Sequence, residues 1–307
     1  GFYDKERGND KNLTKYKYTF FELPIEAKRV DELISRVGVS EGSDATNEAI
    51  RNDNLEMLME QNRRPLTEVG SVKIFTVIGD ITEFGINYGD GQDSAIVNAA
   101  NTYGIGGLGI DLAINTRGGK ELIRERINEF YRGKGLVETQ IEALVERAIN
   151  GNATGIEQYM KNIGVTPVIP VGGAKMTNSI NIPGLTKIIH AVGPDYRGNP
   201  QSGETVLTLE GGLPDLAEAY SSAIDLAISA NIKKLAFPII SGGIFIRGTG
   251  HTYKDIAYGG IDSVISKLIS IDTEDLEEVY FYATNVEDWK DLYSCVMEIW
   301  GPRRRGS

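Results

Sequence analysis

Cysteine is almost missing from this chain. Cys295 is the only one in 307 residues, which excludes an internal disulfide framework and suits a reducing compartment, the cytoplasm. Histidine is nearly as scarce, with two. Two imidazoles and one thiol leave little for a transition-metal site, so no metal and no cofactor is expected. No apolar run approaches the roughly 18 residues of a membrane-spanning helix, so no membrane partner is expected. The stretch from Gly1 to Arg7 has no apolar signal region either. An excess of positive charge is also lacking. The formal net charge of −11 argues against nucleic acid as a partner, because phosphate-backbone binding normally shows as a basic face. The run Arg303-Arg304-Arg305 is terminal and reads as a solvated tail.

What is present is an ordinary globular composition, 41% hydrophobic and 24% charged, with ample apolar content for a core. Residues 1–70 show helix-like apolar spacing at Val30, Leu33, Ile34 and Val37, then at Ile50, Leu55, Met57 and Leu58. They are expected to form an N-terminal helical extension, and packing is a plainer reading of it than recognition because no motif lies there. From Val72 the pattern changes to short β-rich runs separated by helices. Strands are expected at 72–78, 95–97, 166–171, 187–192, 234–240 and 278–284. Helices are expected at 112–131, 213–230 (with Pro214 in its first turn), 257–271 and 288–300. Residues 135–164 read as a helical insertion broken near Asn150. The domain should run over 71–300, with a tail at 301–307 and no internal repeat. Alternating strands and helices predict a mostly parallel sheet covered on both faces, with ligands bound outside the carboxyl ends of its strands.

Two loops fall at such ends. The first follows Ala95-Ile96-Val97 and contains Asn98, Asn101, Gly104, Gly106, Gly107 and Gly109, then Asp111 at the start of a helix. Strand, glycine-rich loop and helix together offer backbone N–H groups and a helix dipole to a phosphate. A tight turn without ligand is the alternative. Asp111 likewise has two readings, a helix N-cap or a working carboxylate. The second loop, Ser241-Gly242-Gly243-Ile244-Phe245, follows the 234–240 strand and offers small residues beside an apolar cover. An acidic protein that binds phosphate must do so with local N–H groups, and these loops supply them. The pattern of a Gly-Lys-Ser/Thr phosphate loop is absent, and the match of Gly104–Gly109 to a dinucleotide fingerprint is isolated.

Five segments in order resemble the macrodomain family: Gly79-Asp80-Ile81-Thr82, Ile96-Val97-Asn98-Ala99-Ala100-Asn101, Gly106-Gly107-Leu108-Gly109-Ile110-Asp111, Ile188 to Pro194, and Ser241 to Phe245. The resemblance covers about 70–300 apart from much of 135–164. It implies a three-layer α/β/α sandwich with a central mixed, mostly parallel sheet. It implies ADP-ribose and mono-ADP-ribosylated protein as partners, and hydrolysis of the ADP-ribosyl bond by a monomer. Asn101 and Asp111 would be catalytic. Asp80 and Ile81 would meet adenine, with Asn285 near its edge. Asn98 and Ala100 belong to the ligand-binding motif. Gly106, Gly107, Leu108, Gly109 and Ile110, with Ser241, Gly242, Gly243, Ile244 and Phe245, would hold the diphosphate and distal ribose. A non-catalytic reader of ADP-ribose is the alternative. Leu108 and Ile246 stand where the family usually has glycine, which bears on rate and substrate choice. The poly(ADP-ribose) glycohydrolase signature is absent. His190 is expected in the core, His251 at the surface, and Cys295 as packing.

Overall fold

The structure, a computed structural model, describes residues 62–198, 203–271 and 274–301. The helices expected within 1–61, and nearly all of the 301–307 tail, lie outside the described residues. The elements in chain order are β1 (Thr67–Val69), β2 (Val72–Ile78), α1 (Phe84–Tyr88), β3 (Ser94–Ala99), α2 (Gly109–Phe130), α3 (Glu138–Ile149), α4 (Ala153–Asn162), β4 (Ala174–Asn178), β5 (Lys187–Ala191), α5 (Leu209–Ser229), β6 (Lys234–Phe237), α6 (Tyr253–Ser270), β7 (Glu278–Ala283) and α7 (Val286–Trp300).

The seven strands form one sheet in the order β1-β2-β7-β6-β3-β5-β4. The five inner strands run parallel, and the two edge strands pair antiparallel. Period-two alternation sorts each inner strand between two apolar layers. Ala95, Val97, Ile189, Leu235, Phe237, Val279 and Phe281 face α5, α6 and α7. Ile96, Ile188, Ala236 and Tyr280 face Phe84 and Tyr88 of α1 and Ile114 and Leu122 of α2. The result is the α/β/α sandwich, with α3 and α4 packed outside α2 on Ile123, Ile127 and Phe130.

Three expectations need correction. Residues 166–171 form no strand. Pro167 and Pro170 have no N–H to give a ladder, and Val168 and Ile169 both donate to Thr102 O at 2.9 and 3.0 Å. The edge strand is β4, whose sequence Ala-Lys-Met-Thr-Asn has little apolar alternation. The helix expected from residue 213 starts at Leu209, where Thr208 accepts from Gly211 N at 3.0 Å. Pro214 therefore lies in the second turn, not the first. Thr67–Val69, within the stretch read as helical, is a strand paired with β2. One further feature was not foreseen: α2 is interrupted at Gly119, whose φ of 72° and ψ of −171° are not helical.

Candidate functional site

Parallel strands deliver their carboxyl ends to one edge, so the loops after β2, β3, β5, β6 and β7 leave the sheet on the same side. β3 and β6 are neighbours, which sets the two glycine loops side by side.

The first loop is held from beneath by side chains. Asn101 Nδ2 donates to Ile105 O at 3.0 Å, and Asn115 Nδ2 donates to Gly106 O at 2.8 Å. The N–H groups of Gly106, Gly107, Leu108, Gly109 and Ile110 meet no protein acceptor among the described residues. They stand at the positive end of α2's first segment. Asp111 is the third residue of α2 and not its N-cap, a position held by Leu108. Its carboxylate is buried, and Arg126 Nη1 donates to Oδ1 at 2.6 Å. The same guanidinium, 0% exposed, donates from Nη1 to Asn115 Oδ1 and from Nη2 to Gly104 O at 2.7 Å. Asp111 Oδ2 lies so close to Gly106 that a Cβ there would collide with it, and the same Cβ would be 3.5 Å from Asn101 Nδ2. The free carboxylate oxygen and the Asn101 amide therefore converge on Gly106. Asn101 Oδ1 is buried and has no partner.

The second loop is held by backbone and by one hydroxyl. Ser241 has a φ of 63°, a left-handed conformation uncommon outside glycine. Its Oγ donates to Pro194 O at 2.7 Å, and Tyr196 N donates to Phe245 O at 2.9 Å, tying this loop to the one after β5. Gly242 N is engaged with Ile239 O at 3.0 Å, whereas the N–H groups of Ser241, Gly243, Ile244 and Phe245 meet no protein acceptor among the described residues. The Arg197 guanidinium stands 5.5 Å from the Phe245 ring centroid and is gripped by Asp195, with Nε to Oδ1 at 2.9 Å and Nη2 to Oδ2 at 2.6 Å.

At the end of β2, Asp80 caps a short 3-10 turn, accepting from Thr82 N at 2.9 Å and Thr82 Oγ1 at 2.7 Å through Oδ1. The side chain of Ile81 is buried. Tyr282, at the end of β7, has a buried hydroxyl without a partner. Its pKa is raised, mainly by desolvation, with nearby tyrosines and Asp80 adding to the shift.

Two residues expected at the ligand have other engagements. Asn98 shares the inward parity of Ile96, and its fully buried Nδ2 lies 3.0 Å from His190 Nδ1. His190 Nε2 lies 2.8 Å from Thr177 Oγ1. With Asn98 donating, the His190 proton sits on Nε2 and is given to Thr177. Burial, and then the Arg126 charge, hold the His190 pKa well below its ordinary value. Asn285 is the N-cap of α7, accepting from Asp288 N at 2.9 Å. Ala100 packs beneath the first loop with Tyr103 and Ile105. His251, expected at the surface, is half-buried, with Nε2 2.7 Å from Leu207 O. Cys295 is buried, and burial pushes its thiol pKa up to about 12, as a packing residue requires. Among the described residues no cluster of His, Cys, Asp and Glu could hold a metal ion, and no helix is long and apolar enough to cross a membrane.

The family model of the Macro domain matches residues 126–248. A Macro domain-containing protein of Mesorhizobium japonicum is 31% identical over 189 residues, covering 62% of this chain and 76% of the relative. The chain belongs to the Macro domain family. The ADP-ribose glycohydrolase MACROD2 of Xenopus laevis is 30% identical over 167 residues, which are 54% of this chain and 27% of that protein. The fold is also similar to a solved macrodomain of Oceanobacillus iheyensis with ADP, at a TM-score of 0.50 and 22% identity, covering 75% of this chain and 93% of that one.

Within this macrodomain, sequence reasoning missed Arg126, Asn115 and Arg197. Arg126 did leave a signal. It falls on the stripe of Leu122, Ile123, Ile127 and Phe130, where the helical period demands an apolar residue. A cation on such a stripe implies a buried partner.

Proposed function

We propose that this macrodomain binds ADP-ribose across the two glycine loops and hydrolyses mono-ADP-ribose from modified protein. The observation that carries the reading is the arrangement around Gly106. A carboxylate with one oxygen in an ion pair turns its other oxygen, beside Asn101, onto a loop of unpaired N–H groups. In this reading the N–H groups of 106–110 and of Ser241, Gly243, Ile244 and Phe245 hold the diphosphate. Asp80 accepts from the adenine amino group near the Ile81 N–H, and Phe245 covers the distal ribose. The unpartnered Oδ1 of Asn101 accepts from a ribose hydroxyl, which removes an otherwise unsatisfied buried acceptor. Water oxygen bonds to the anomeric carbon of the distal ribose as the bond to the modified side chain breaks. The departing atom keeps the bonding electrons and takes a proton. The anionic Asp111 orients that water through Oδ2 and stabilises the oxocarbenium-like centre.

Two observations favour a second reading, a reader that binds ADP-ribose without cleaving it. The ion pair with Arg126 engages half of the Asp111 carboxylate, and Leu108, 47% exposed at the start of α2, stands at the mouth of the loop. The two are separated by titrating ADP-ribose into wild type and Asp111→Asn by calorimetry, beside a release assay on mono-ADP-ribosylated protein. The hydrolase reading expects both to bind and Asp111→Asn to release only at a residual rate far below wild type. Binding without release by wild type would leave the reader, and absence of binding would overturn both.

A further inference from the structure

We infer that Arg126 is the positioning residue of this site: one buried guanidinium aims the Asp111 carboxylate and the Gly107 N–H at the same place. This rests on the ADP-ribose reading above and adds the element that would give the first loop its shape. The geometry runs through three contacts. Nη1 takes Asp111 Oδ1, fixing the carboxylate plane so that Oδ2 is the oxygen turned to Gly106. Nη1 also takes Asn115 Oδ1, which decides the flip of that amide and points Nδ2 at Gly106 O. In a trans peptide the carbonyl and the next N–H point opposite ways. Holding Gly106 O inward on the buried Asn115 therefore turns the Gly107 N–H outward, away from the core. Nη2 takes Gly104 O, where the loop begins.

The break at Gly119 gives these contacts a second task. Asp111 and Asn115 lie on the segment before it and Arg126 on the segment after it, so the helical hydrogen-bond ladder does not by itself fix one segment against the other. Arg126 bridges them. A lysine cannot replace it, because a single ammonium lacks the planar fork that reaches three acceptors held apart. Arg126 touches no reacting atom in this scheme and acts through Asp111 and Asn115.

The test measures ADP-ribose affinity, and kcat and KM for release, in wild type, Arg126→Lys, Asp111→Asn, the double variant and Asn115→Ala. Thermal unfolding establishes that each is folded. For Arg126→Lys we expect affinity to fall about tenfold and kcat about a hundredfold, the scale of an ångström-level misplacement. In the Asp111→Asn background the same substitution should lower kcat no further, since it acts through that carboxylate. Asn115→Ala, which keeps the ion pair, should lose affinity with kcat less affected. Wild-type affinity and kcat in folded Arg126→Lys, or kcat losses that simply add in the double variant, would overturn the inference. Failure of the wild type to bind ADP-ribose would instead overturn the reading beneath it. If wild type binds without release, the affinity losses in Arg126→Lys and Asn115→Ala decide alone, and their absence counts against the inference.

Discussion

The two glycine loops follow neighbouring parallel strands and offer unpaired N–H groups at the same edge of the sheet, yet they are held in opposite ways. The first rests on charge. A buried Arg126–Asp111 pair, extended by Asn115, reaches the carbonyls of Gly104 and Gly106. The second rests on backbone, through Ser241 in a left-handed conformation, its hydroxyl on Pro194 O, and a bond from Tyr196 N to Phe245 O. The same task can thus be met by a network that fails when one charge is removed or by a turn that fails when one contact is loosened. The first loop should break abruptly and the second gradually.

The largest expected effect is on the first loop. Asp111→Ala leaves the Arg126 charge, 0% exposed, without its partner. Removing one side of a buried pair should lower stability by about 3–5 kcal/mol in urea unfolding. Loss of release activity in that variant would then mix chemistry with stability, so Asp111→Asn is the cleaner probe. The second loop should yield less. Ser241→Ala removes the hydroxyl from Pro194 O and keeps the strained φ, with an expected loss of about 1–2 kcal/mol. Ser241→Gly also loses the bond but relieves the conformation, and should unfold later than the alanine variant. Equal losses in the two variants would show that conformation contributes nothing there.

The smallest effect is a pH dependence beneath the first loop. His190 is kept neutral by burial and by Arg126, so its folded pKa lies below its unfolded value of about 6.5. The unfolded chain binds a proton that the folded chain refuses, and stability should fall as pH drops below about 6.5. The slope from this group is at most about 1.4 kcal/mol per pH unit. Urea midpoints between pH 7.5 and 6, a range over which this group contributes under about 1 kcal/mol, should show this fall in wild type and a shallower one in His190→Gln. Parallel curves would mean that His190 does not contribute.

Much of this architecture is legible in the sequence. The parallel core is written in the apolar runs at 72–78 and 187–192, and the positions of both loops in glycine following a strand. The edges are less legible. β4 has one buried residue, Thr177, which serves His190, and its short sequence could as well be a loop. Asn98 could have been placed by parity, since it shares a face with Ile96 and its register partner His190 shares one with Ile188. Asn285 illustrates a real ambiguity, because an asparagine before a helix serves a cap as readily as a ligand. The identity of the Arg126 partners is harder to read, because the contacts cross a helix break marked in the sequence only by the pair Gly118-Gly119. An uninterrupted helix would set residues fifteen apart more than four turns from each other.

The α3–α4 turn meets the first loop at Gly107, where a Cβ would come within 3.2 Å of the Gly151 carbonyl carbon and 3.3 Å of Ala153 N, while a Cβ on Gly151 would be 3.2 Å from Leu112. Gly107 and Gly151, forty-four residues apart in sequence, thus share a gap sized for hydrogen atoms. A side chain gained on one side must be answered by retreat on the other. In related chains the length and bulk of the hairpin turn and the residue at 107 should therefore change together, and a hairpin transplanted from a relative would carry its own loop requirement with it.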